Sequence, residues 1–221
     1  MPHIRLDTQE NMLLAIKAVF DEYDYIETAI SENTITVKLT DSAAYYTIEA
    51  YKETNTTKIA INYVNTAGQT IALYTPAWSY DYAIFFDYLP TKKGILFGGY
   101  RASSGQELTH SSYNLMCYCG EDYMANVNLN NWITLSSREY DVFSNMHPDI
   151  GFGVISQEAV QVVNLIDSYN SEFIDDIFVA PVRPPSSPGT TFAAEVEGKH
   201  YYLLCPNANT TFCMLAFEAG D

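Results

Sequence analysis

Basic residues are scarce in this chain: 11 Lys and Arg stand against 27 Asp and Glu, a formal charge of −16 over 221 residues. Nucleic acid is bound largely through Lys and Arg that displace counterions from phosphates, and anionic membrane attracts the same side chains. Neither partner is expected. Long hydrophobic runs are missing too: nowhere do about 18 apolar residues follow one another, as a spanning helix needs. The start, MPHIRLDTQEN, lacks the apolar run behind a basic end that marks a secretion signal, so a soluble chain without such a signal is expected. Cysteine is limited to positions 117, 119, 205 and 213. Cys117 and Cys119 would project to one face of a strand, a poor geometry for a mutual disulfide. Cys205 and Cys213 flank the loop PNANTT and could meet across a hairpin, although an unsecreted chain is made where thiols stay reduced.

The motifs of familiar chemistry are also missing. There is no Gly-rich phosphate loop ending in Lys-Ser/Thr, no G-x-S-x-G and no H-E-x-x-H. Gly98-Gly99 with Arg101 and Ser103-Ser104-Gly105 has an anion-friendly composition, but no helix follows to aim its N-terminus at phosphate, and a bulged strand end is expected instead. His110, Cys117 and Cys119 could be posed as zinc ligands. Cys-x-Cys is not the usual spacing, and a fourth ligand would have to come from distant His147 or His200. Buried structural thiols without stoichiometric zinc are the expectation. A Cys-His nucleophile is disfavoured because nothing local activates Cys117. The acid pairs Glu121-Asp122 and Asp175-Asp176 lack alternating ligands around a Gly turn and suit a solvated loop better than a hard cation. Asn55-Thr56-Thr57 and Asn209-Thr210-Thr211 match the glycosylation sequon, which has no meaning without secretion. No catalytic, cofactor-binding or metal-ligating residue is therefore expected.

What is present is a β-rich pattern. Asp7 can cap a helix through TQENMLLAIKAVFDEY, with Glu10 completing a capping box. Leu13, Ile16, Phe20 and Tyr23 make its apolar stripe. Alternating segments follow at Thr34 to Thr40, Ala44 to Tyr51, Thr57 to Val64 and Gln69 to Tyr74, a meander for the stripe to cover. Pro76, within TPAWS, marks a boundary between a module of residues 1–76 and a β-rich module of residues 77–221, which could equally form one continuous domain. Further strands are expected at Ala83 to Leu89 and Ile95 to Tyr100, joined by PTKKG, and at Tyr113 to Cys119, Trp132 to Leu135 and Asp176 to Val182. Glu158 to Tyr169 is ambiguous: Val162, Ile166 and Tyr169 suit a helix behind Ser156, and Val160, Val162 and Val163 suit a strand. The helix is favoured. The clearest stretch is Gly189 to Phe217, three strands in which the turn Glu197-Gly198 sets Phe192, Ala194 and Val196 against Leu203, Tyr201 and Lys199. The fold class is α+β, predominantly antiparallel β: an N-terminal helix on a meander, closed by a C-terminal three-stranded meander.

Tyrosine is abundant, 18 against 11 Phe. Pairs such as Tyr45-Tyr46 and Tyr201-Tyr202 place the ring on both faces of a strand, which suits protein contacts or sugar stacking as well as a core.

The run DDIFVAPVRPPSSPGTTFAAEVEGKHYYLLCPNANTTFCMLAF, Asp175 to Phe217, resembles the C-terminal portion of small virion proteins of tailed bacteriophages. In these an extended proline-bearing segment leads into a hairpin with a G-K turn. Phe192, Val196, Gly198, Lys199 and Tyr201 carry the likeness. It implies a non-enzymatic assembly role in a tail, baseplate, neck or capsid-associated position, in a particle assembled in host cytoplasm. The expected partners are other copies of the chain, as a homo-oligomer, and neighbouring virion proteins. A sugar- or receptor-binding module using exposed Tyr and Trp, with Trp78 or Trp132 flooring a groove, is the alternative. A hydrolase whose site is assembled from distant residues is the third reading.

Overall fold

The computed structural model describes residues 3–5, 9–53, 56–74, 83–102, 114–127, 133–137, 144–146, 163–167, 172–180, 191–204 and 214–220. The chain begins with β1 (His3–Arg5) and α1 (Gln9–Phe20), followed by β2 (Ile26–Ser31), β3 (Thr34–Leu39), β4 (Tyr45–Glu53), β5 (Thr56–Val64) and β6 (Thr70–Tyr74). These last five strands form an antiparallel meander in chain order, the N-terminal sheet. Next come β7 (Ala83–Thr91), β8 (Gly94–Ala102), β9 (Asn114–Gly120), β10 (Tyr123–Val127), β11 (Ile133–Ser137) and β12 (Ser144–Met146). With β1 on the outer side of β7 they make a seven-stranded middle sheet. The last group, β13 (Val163–Asp167), β14 (Glu172–Ala180), β15 (Thr191–Val196), β16 (Lys199–Leu204) and β17 (Met214–Glu218), forms a C-terminal sheet in the order β13-β14-β17-β16-β15. The class is the expected one, α+β with antiparallel sheets throughout the described residues.

Alternation explains the N-terminal sheet. Ile35, Val37, Leu39, Tyr46, Ile48, Ala50, Ile59, Ile61 and Tyr63 recur at every second position and are wholly buried, while Thr34, Thr36, Lys38, Thr47 and Glu49 between them are half-buried on the other face. Over the buried face lies α1, whose Met12, Leu13, Ile16 and Phe20 are also buried. The expected stripe is present except at its end. The helix stops at Phe20 rather than reaching Tyr23, because the Tyr23 N–H bonds the Phe20 carbonyl at 3.1 Å in a turn and the chain swings into β2. The Asp7 cap lies outside the described residues.

One hydrophobic core joins this layer to the middle sheet. Phe86, Ile95, Phe97, Cys117, Cys119 and Met124 belong to the same cluster as Ile16, Phe20, Val37 and Ile61. Phe20 meets Phe97 edge-on at 5.1 Å and Phe86 at 6.2 Å. The core is thus continuous across position 76, although residues 75–82 lie outside the described set. Tyr118, between the two cysteines on β9, points away from that core and packs at 4.8 Å on Phe217 of β17. The C-terminal sheet meets the middle sheet there.

The β7–β8 hairpin turns tightly through Lys92-Lys93, so Pro90 and Thr91 lie within β7 rather than in a loop. Thr91 and Gly94 close the turn as a hydrogen-bonded pair. Pro90, one place back, therefore points its missing N–H away from β8, where a strand tolerates it. The segment 158–169, favoured above as a helix, contains β13 instead. Val163 to Asp167 pairs with β14: a β-branched residue loses rotamer freedom in a helix, and an isolated short helix is marginal, whereas β14 offers a ladder. The C-terminal hairpin has the expected register, Phe192 opposite Leu203, Ala194 opposite Tyr201 and Val196 opposite Lys199. Glu197 and Gly198 sit at φ 52° and 79°, the double left-handed turn that matches strand twist.

Candidate functional site

Among the described residues, Tyr46, Cys117 and Cys119 lie buried between the layers. Tyr46 follows the inward phase of Ala44, Ile48 and Ala50, so its ring is wholly buried and its hydroxyl needs a partner. That partner comes from the middle sheet: the hydroxyl proton is shared between the carbonyls of Tyr118, at 3.0 Å, and Ala125, at 2.9 Å. The ring stands edge-on to Phe97 at 5.2 Å and tilted to Tyr63 at 5.6 Å. Burial pushes the Tyr46 phenol well above its usual range.

Tyr25 makes a second tie, donating from its hydroxyl to the Lys93 carbonyl at 2.9 Å. The Lys93 carbonyl also accepts the Glu121 N–H at 2.9 Å, and the neighbouring Lys92 N–H bonds the Glu218 carbonyl at 2.8 Å. The Lys92 ammonium lies 3.1 Å from the Glu218 carboxylate. One two-residue turn therefore fastens the N-terminal, middle and C-terminal sheets together.

Cys117 and Cys119 are free, buried thiols in the shared core. Burial raises both thiol pKa values, so each stays protonated and neither is activated as a nucleophile. His200 stands exposed on the C-terminal sheet opposite Glu195 and is not brought to the thiols. His110 and His147 lie outside the described residues, as do Cys205, Cys213, Trp78 and Trp132. Among the described residues no three or more His, Cys, Asp or Glu gather as a metal site.

The acid pairs separate. Glu121-Asp122 forms the exposed β9–β10 turn. Asp175-Asp176, expected at a loop, falls inside β14, where the pairing jumps from Leu165 with Ile174 to Asn164 with Phe178. Residues 175–177 form the resulting bulge, an irregularity with no ready sequence signal. Gly98 lies beside a bulge, but inside β8 rather than at a strand end, and the extra residue is on the partner strand: Phe97 pairs with Cys117 and Gly98 with Leu115, which leaves Met116 of β9 extra. Arg101 continues β8, and 103–105 lie outside the described residues.

The tyrosines whose side chains are described divide into two groups. Tyr46, Tyr63, Tyr118 and Tyr201 are buried, and Tyr23, Tyr25, Tyr45, Tyr51, Tyr88, Tyr123 and Tyr202 are half-buried. The adjacent pairs do face opposite ways. Sequence reasoning missed the inter-sheet role of Tyr46, whose signal was a phenol in the inward phase of an otherwise apolar strand. It also missed β2, a short edge strand.

Compared with protein-family models, with curated proteins and with solved structures, the chain finds no match. Among the described residues no helix is long and apolar enough to cross a membrane.

Proposed function

We propose that the chain is a structural and interaction subunit that works by assembling with copies of itself and with neighbouring proteins, in the particle of a tailed bacteriophage. The observation that carries this reading is where the polar and reactive groups have gone. Tyr46 and Tyr25 bond one sheet to the next, and Cys117 and Cys119 are sealed as thiols. Side chains used in this way make a stiff, layered scaffold that presents surfaces and strand edges. The C-terminal hairpin that carries the phage resemblance has a regular ladder and a tight turn, and its Lys199 lies 3.5 Å from Glu218. No catalytic role is assigned in this reading. The test is solution mass by light scattering over a wide concentration range, with electron microscopy for rings or ordered particles. Defined oligomers support the proposal, and a strictly monomeric chain without ordered assemblies overturns its self-assembling part.

One arrangement favours the sugar- or receptor-binding alternative. Along the outer face of β4, Tyr45, Thr47, Glu49 and Tyr51 form a half-buried row of aromatic and polar side chains, and Asn62 Nδ2 donates to Thr47 Oγ1 at 3.4 Å. Selective binding on a glycan panel, lost in Tyr45→Ala and Tyr51→Ala, would put this reading first.

A further inference from the structure

We draw no further inference here: the strongest candidate, the outer face of the N-terminal sheet where Tyr45, Thr47, Glu49 and Tyr51 stand in a half-buried row along β4, belongs to the receptor-binding reading already described, and nothing in the structure shows what covers it.

Discussion

Tyr46 concentrates the logic of the fold in one side chain, because its ring fills the core and its hydroxyl bonds the next layer. Tyr46→Phe keeps the ring and removes the hydroxyl that bonds the Tyr118 and Ala125 carbonyls. A loss of about 1–3 kcal/mol is expected, read as a lower urea midpoint with an unchanged slope. The thiols and this phenol also set a pH limit. Burial raises Cys117 and Cys119 above the ordinary thiol value of 9.0 and Tyr46 well above 10.0. A raised folded-state pKa means that the unfolded chain gives up the proton first. Stability should therefore be intact below about pH 9.0 and fall progressively as pH rises above it. A urea midpoint that is level or rising between pH 9 and pH 11 would contradict this burial.

Among the elements, α1 and the β8–β9 pair hold close packing that a single substitution would disturb. Phe20 is wholly buried against Phe86 and Phe97, so Phe20→Asp puts a charge into apolar packing shared by the N-terminal and middle sheets. It should cost about 3 kcal/mol or more and loosen both layers together, visible as parallel loss of amide protection in β4 and β8. Unchanged melting would mean that the helix face is exposed in solution. On β8, Gly94 faces Gly120 across the ladder, with the Tyr118 ring over both. A Cβ on Gly94 would lie 2.5 Å from the Cys119 carbonyl oxygen, a backbone atom held in the ladder. Gly94→Ala should lower stability by about 1–3 kcal/mol, and a melting temperature equal to wild type would refute that close approach.

For the whole molecule the large term is net charge. At −16 copies repel at low ionic strength, and the repulsion is screened over roughly 8–10 Å near physiological salt. Self-association should therefore strengthen as monovalent salt rises from low to moderate concentration, measured by sedimentation. Weakening with salt would mean that copies meet through opposed charges. Much of the molecule is written in local patterns. The stripe Leu13, Ile16, Phe20, the inward alternation of β3 to β5 and the turn Glu197-Gly198 depend only on residue spacing and turn geometry, which neighbours in sequence set. Other features depend on partners distant in sequence. Val163 to Asp167 becomes a strand because β14 lies beside it, and Tyr46 finds carbonyls 72 and 79 residues away. Sequence alone determined that this chain would form a helix and antiparallel sheets with buried thiols. Tertiary structure decided which sheet faces which and which strands lie side by side, since the burial of a face and the pairing of a strand are properties of two elements in contact and no single segment encodes them.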